Sequence, residues 1–144
     1  MQLQCPHCHK TNRIPDERLA DEPVCGACGK AILQGVHALD ATGLQAVLSQ
    51  HSVPVIVDFW APWCGPCLGF APTFAAAAQK FGGKLVFVKI DTEANQALGA
   101  QYNIRSIPTL AVLKGTQELT RISGALPARQ LEELISKVLN HAQS

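Results

Sequence analysis

Six cysteines at positions 5, 8, 25, 28, 64 and 67 make three Cys-x-x-Cys pairs in a chain of 144 residues. Two bonded cysteines only three apart close a very small loop, so a conventional structural disulfide framework fits this spacing poorly. Thiolate ligation of a metal and reversible dithiol chemistry remain, and the surroundings of each pair decide between them.

Cys5-x-x-Cys8, sixteen intervening residues, then Cys25-x-x-Cys28 has both the pair separation and the loop length of a zinc ribbon. Each pair can chelate through a tight turn, and Gly26 and Gly29 offer the permissive backbone such turns need. Four thiolates around one Zn²⁺ make a closed tetrahedral structural site with no open position for catalysis. Zn²⁺ with four thiolates moves the formal charge of the chain from +1 to about −1. The competing reading is a redox pair of disulfides. His7 and His9 are spare ligands by type, but four thiolates complete the shell, so both are expected to be solvated neighbours.

The third pair, in Trp63-Cys64-Gly65-Pro66-Cys67, follows a strand-like run and opens a helical one. A thiol at a helix N-terminus faces unsatisfied backbone N–H groups and the positive end of the macrodipole, which favour the thiolate that performs disulfide exchange. Cys64 is the expected exposed nucleophile and Cys67, one turn further in, the resolving thiol. Pro66 gives up a donor that the first turn does not use, and Gly65 keeps the approach to Cys64 open. A metal here would need two more ligands, and no further Cys-x-x-Cys partner supplies them.

Asp58 interrupts Val55-Ile56-Val57-Asp58-Phe59-Trp60, where an ionised carboxylate is costly to bury. A raised pKa would make it a proton acceptor near neutral pH; an aspartate capping the strand end and reaching water is the alternative. The dithiol a few residues downstream favours the first, with Asp58 deprotonating Cys67 as it attacks a mixed disulfide. Pro108 in Ile107-Pro108-Thr109 stands just before a strand, either at an ordinary edge or in a cis bond, and the residues alone favour trans.

The elements that would hold these residues divide the chain in two. Residues 1–33 have four cysteines and few large apolar side chains, and a segment so short needs a staple to fold. Residues 34–144 alternate strand-like and helix-like patterns, which predicts an α/β domain around a mixed, mainly buried sheet. Val36–Leu39, Val53–Phe59, Leu85–Ile90, Thr109–Leu113 and Leu119–Ser123 read as strands, the last two joined at Gly115-Thr116. Helices are expected from an Asp40 cap to about Gln50, from Cys64 to Lys80 before Gly82-Gly83, and over Ala94–Gln101. In the last helix Leu131, Leu134, Ile135, Val138 and Leu139 keep i, i+3, i+4, i+7, i+8 spacing.

The composition, 47% hydrophobic and 16% charged, suits a packed core rather than a disordered chain. A formal charge of +1 gives no strong pull towards nucleic acid or an anionic membrane, and no apolar run reaches the ~18 residues of a membrane span. The N-terminus lacks the basic and apolar regions of a secretory signal. A cytoplasmic location is therefore expected, with reduced thiols available for metal or redox work.

The run Trp60-Ala61-Pro62-Trp63-Cys64-Gly65-Pro66-Cys67 resembles the active-site segment of the thioredoxin family. The resemblance covers about 34–144, with Asp58, Pro72, Ile107-Pro108-Thr109, Gly115 and Gly124 standing where the family pattern places them. With the four-cysteine segment, the whole chain resembles the bacterial thioredoxin 2 type of that family. This implies a thioredoxin fold, a central five-stranded mixed sheet flanked by four helices, with a zinc-ribbon-like module at 1–33. It also implies a cis Ile107–Pro108 bond facing the dithiol, against the trans expectation above. Candidate substrate-binding residues are Trp63, Gly65, Pro66, Ile107, Pro108 and Gly124; candidate catalytic residues are Cys64, Cys67 and Asp58; candidate zinc ligands are Cys5, Cys8, Cys25 and Cys28. The family often carries a lysine near the buried aspartate, at a position read here as Phe87, with Lys89 two residues on.

The activity so implied is protein-disulfide reduction. The partners are disulfide-containing proteins and an NADPH-dependent thioredoxin reductase, and the chain is expected to be a monomer. Two rival readings remain: a zinc-dependent interaction or chaperone module that uses this fold for binding, and a disulfide isomerase or oxidant. A redox-sensing role for the zinc cysteines is a further possibility, since exposed zinc thiolates are oxidisable.

Overall fold

Val55–Trp60, a β-branched and aromatic run, forms the central strand of a five-stranded sheet. The computed structural model describes residues 2–49 and 53–142. In chain order the elements are β1 (Gln2–Gln4), β2 (Thr11–Arg13), a 3-10 turn (Asp16–Asp21), β3 (Val36–Ala38), α1 (Ala41–Leu48), β4 (Val55–Trp60), α2 (Gly65–Phe81), β5 (Val86–Asp91), α3 (Gln96–Gln101), β6 (Thr109–Lys114), β7 (Gln117–Ser123) and α4 (Ala128–Ala142). The main sheet has the order β3-β5-β4-β6-β7, parallel across β3, β5 and β4 and antiparallel from β4 to β6 to β7. Five mixed strands and four helices make the expected thioredoxin fold.

Most predicted elements are present, with shifted ends. Asp40 caps α1, its Oδ1 accepting a hydrogen bond from Gly43 N at 2.8 Å. The expected end of that helix at Gln50 lies outside the described residues. Strand β4 begins two residues later than read, because Pro54 precedes it without an N–H for the ladder. Helix α3 starts at Gln96 rather than Ala94, because Asp91 Oδ1 holds the Glu93 and Ala94 N–H groups in a turn.

Alternation along the strands sorts the core into two faces. Val55, Val57 and Phe59 pack with Val86, Val88, Ile90 and the α1 residues Leu44, Val47 and Leu48. Ile56, Phe87 and Leu110 face Phe70 and Phe74 of α2 and Leu131, Ile135 and Val138 of α4. By this parity Asp58 falls on the α2 and α4 side of the sheet.

Residues 2–33 contain regular structure that the sequence did not announce. Strands β1 and β2 form an antiparallel hairpin, and Val24 bridges Ala31. Leu3, Cys5, Ile14, Cys25, Ile32 and Leu33 are buried in the same core as α1 and β4. A fully buried aliphatic side chain is worth roughly 1.5–3 kcal/mol, so this shared core seats the segment firmly on the sheet. Two close approaches fix the seat. A Cβ on Gly35 would meet Pro6 Cγ at 2.7 Å, and one on Gly82 would strike Leu33 O and Gln34 Cα. Gln79 of α2 adds a hydrogen bond from Nε2 to Gln34 O at 2.6 Å.

A dithiol at a helix N-terminus and a four-thiol cluster

Cys64 is the N-cap of α2, with extended backbone (φ −87°, ψ 110°), and its sulfur accepts a hydrogen bond from Cys67 N at 3.2 Å. Pro66 lies in the first turn, where its missing N–H costs nothing. Cys64 and Cys67 are joined by a disulfide, with Cα atoms 5.2 Å apart. Ala61, Trp60 and Ile107 pack around the bond.

Exposure of the site differs from expectation. Cys64 is only 5% exposed and Cys67 2%, because the N-cap geometry folds the sulfur of Cys64 back over the helix end. Access comes from the neighbours: Trp63 is 71% exposed, and Gly65 and Pro66 are open to solvent. A Cβ on Gly65 would meet nothing within 4 Å, which keeps one flank of the disulfide clear.

The opposite flank is backbone. The Ile107–Pro108 bond is cis, as the resemblance implied and against the trans expectation drawn from the residues alone. Ile107 O lies 3.8 Å from Cys64 Sγ. Gly124 N donates to Pro108 O at 2.8 Å, and Gly124 has φ +100°, a conformation that favours glycine. Trp63, Ile107, Pro108 and Gly124, far apart in sequence, thus lie around one end of the sheet.

Asp58 is buried on β4. Burial raises its pKa from 3.8 to about 7, against the opposing pull of the Lys89 ammonium. Its Oδ1 has no hydrogen-bond partner among the described residues. A strand-end cap reaching water is therefore not what the fold builds. Lys89 is the residue that the sequence reading placed two positions away from the expected lysine. It stands directly opposite Asp58 in the β4–β5 register, and its Nζ lies 5.2 Å from the Trp60 ring centroid. Phe87 is wholly buried in the core and takes no part in the site. Counting β4 against β5 in register would have found Lys89.

At the other cluster, Cys5, Cys8, Cys25 and Cys28 bring their Sγ atoms within 4.8 Å of one another. Cys5 Sγ is 3.7 Å from Cys28 Sγ, and Cys8 Sγ is 3.6 Å from Cys25 Sγ. A tetrahedron with Zn–S bonds of about 2.3 Å has edges of about 3.8 Å, so the cluster fits the ion. The two pairs fold as near copies. Cys5 N donates to Lys10 O and Cys25 N to Lys30 O, while His9 N and Gly29 N donate to Cys5 O and Cys25 O. His7 N and Ala27 N donate to the sulfurs of Cys5 and Cys25, both at 3.4 Å. The Cys28 backbone N–H, then Asn12 Nδ2, hold the Cys25 thiol down at about 6, while Cys8, despite the lowering pull of the Lys10 backbone N–H, is pushed up to about 11 by desolvation and the three neighbouring thiols. His9 (φ 67°) and Gly29 (φ 77°) take the left-handed positions. Gly26 does not, and its N–H instead donates to Asn12 Oδ1 at 2.9 Å. His7 and His9 are exposed and lie outside the four-thiol group.

A disulfide linking the N-cap of a helix to its first turn, immediately after the central strand of this sheet, defines a thiol–disulfide oxidoreductase. The chain belongs to the thioredoxin family: the family model described as Thioredoxin matches residues 35–137, and one described as Thioredoxin 2, N-terminal matches residues 4–30. It is 42% identical over 144 residues to Thioredoxin C-3 of Corynebacterium nephridii, covering 99% of each chain. With Thioredoxin 1 of a Nostoc strain it shares 47% identity over 100 residues, covering 69% of this chain and 92% of the relative. Among solved structures, a mutant thioredoxin from Halobacterium salinarum superposes with a TM-score of 0.69 at 29% identity, over 77% of this chain and 96% of that one. No helix among the described residues is long and apolar enough to cross a membrane.

Proposed function

We propose that the chain is a protein-disulfide reductase that works through Cys64 and Cys67, acts as a monomer in the cytoplasm and is recycled by an NADPH-dependent thioredoxin reductase. The observation that carries this reading is the Cys64–Cys67 bond at the N-terminus of α2, facing Ile107 O with its flank open at Gly65. In the reduced protein the Cys64 thiolate, favoured by the helix end, attacks one sulfur of a target disulfide. An S–S bond forms between Cys64 and the target, and the second target sulfur leaves as a thiolate. Cys67 then attacks Cys64 Sγ and releases the first target sulfur. Two electrons pass from the dithiol to the target, and the Cys64–Cys67 disulfide remains. Asp58 accepts the Cys67 proton in that second step, a role supported by its burial and its pKa of about 7. Trp63, Gly65, Pro66, Ile107, Pro108 and Gly124 form the platform for the target segment.

Cys5, Cys8, Cys25 and Cys28 hold one structural Zn²⁺, which staples residues 1–33 as a module beside the thioredoxin domain at 34–144. Supporting this are the cluster geometry and the match of residues 4–30 to the N-terminal family model. Neither a nucleic acid nor a membrane is needed as partner.

The test is insulin reduction driven by NADPH and thioredoxin reductase, with metal analysis of the same sample. Turnover and one zinc per chain are expected. Turnover with dithiothreitol but not with the reductase would remove the recycling partner and leave the chemistry. Substrate binding that survives replacement of both Cys64 and Cys67, with no reduction by the native chain, would make the protein a binding module instead.

A further inference from the structure

The rim of the dithiol site is almost free of charge. Residues 59–79, 106–113 and 122–128, which supply α2 and the loops facing it, contain no Asp, Glu, Lys or Arg. A charged side chain stands two residues before Ile107. A cavity of about 400 Å³ is lined by Trp63, which precedes Cys64, by Ile107, which packs against the disulfide, and by Gly99 and Ile104. Among the side chains lining it, Arg105 alone is charged. Arg105 is exposed and has no ion-pair partner among the described residues; Glu93, next to the lining residue Thr92, forms none with it. Ile107, which lines the cavity, carries its carbonyl O 3.8 Å from Cys64 Sγ, so the cavity adjoins the residue that faces the attacking sulfur.

We propose that Arg105 selects targets: the cavity between Trp63 and α3 receives the residue flanking the attacked cysteine, and Arg105 favours an acidic side chain there. This rests on the reductase reading, since the site matters only when a target is bound at Cys64. An exposed cation meeting a carboxylate at a half-open rim is a modest interaction that acts mainly on encounter and register. Arg105 is the one charged side chain lining this cavity, with the exposed Glu93 next to its edge at Thr92, so a charge on the target beside the cysteine meets Arg105 first.

The experiment uses three disulfide-linked peptide homodimers with capped ends, identical except for Glu, Gln or Lys beside the cysteine. The pre-reduced full chain is mixed with each, and second-order rate constants are read from quenched samples at low ionic strength. The expected order is Glu above Gln above Lys, with about three- to fivefold per step. Arg105→Gln should level the series, Arg105→Glu should reverse it, Arg105→Lys should keep the order, and ~0.5 M salt should compress it. Equal rates for all three peptides with the native chain, or an unchanged order in Arg105→Gln, would overturn this inference and leave the reductase reading standing. Failure to reduce any peptide would overturn both.

Discussion

Asp58 on β4 and Lys89 on β5 are register partners in the parallel ladder, so the one buried carboxylate among the described residues faces a cation across the sheet. Burial nevertheless dominates, raising the Asp58 pKa to about 7. The residue proposed as proton acceptor is therefore held in the fold at a cost in stability.

That cost has a pH signature. The folded pKa of about 7 lies above the ordinary 3.8, so the native state binds the extra proton between these values and loses stability as pH rises from about 4 to 7. Three pKa units correspond to about 4 kcal/mol. Asp58→Asn should be more stable than the native protein by up to that amount at about pH 7.5 and little different at about pH 4. Urea unfolding at both pH values measures the difference, and the variant should resolve mixed disulfides more slowly.

Removing the cation should act in the opposite sense to its present pull. Lys89→Met is expected to raise the Asp58 pKa above about 7 and move the pH profile of mixed-disulfide resolution towards higher pH, while Lys89→Arg leaves it in place. Carbon-13 titration of the Asp58 carboxyl group follows the shift directly.

Metal loss should be felt beyond residues 2–33. Leu3, Cys5, Ile14 and Cys25 share a core with α1 and β4, so a loosened four-thiol cluster exposes apolar surface on the main domain. Cys28→Ser should lose zinc and lower the thermal midpoint by roughly 5 °C or more. A variant that melts with the native protein would show that the two parts are energetically separate.

The clamp at the end of α2 can be tested without touching a cysteine. A Cβ at Gly82 would strike backbone atoms of Leu33 and Gln34, so Gly82→Ala should cost about 1–3 kcal/mol. Gly69, with nothing within 4 Å of a built Cβ, is the contrast: Gly69→Ala should be neutral or stabilising by up to about 1 kcal/mol. Paired urea curves give both values.

What the sequence made legible was the chemistry with a local cause. Cysteine spacing announced the four-thiol cluster, and Trp63 to Cys67 after an apolar run announced a dithiol at a helix start. The five strands and four helices followed from apolar runs, from cap and turn residues and, in α4, from periodicity, with ends displaced by Pro54 and by the Asp91 turn. Relationships between distant residues were not legible. The opposition of Lys89 to Asp58 is a matter of strand register, and the close packing of Gly35 on Pro6 depends on how two parts of the chain meet. The β1–β2 hairpin has three residues per strand, too few for alternation to show. The low exposure of Cys64 arises because a cap side chain turns back onto its own helix, which spacing does not encode.

The most direct test of the account compares Cys64→Ser and Cys67→Ser in single-turnover reduction of insulin by the pre-reduced protein. Cys64→Ser should show no reduction above background. Cys67→Ser should stop after the first step, accumulating one covalent complex per chain that mass spectrometry maps to Cys64. Reduction by Cys64→Ser at the native rate would contradict the assignment of Cys64 as the attacking thiol, and with it the mechanism.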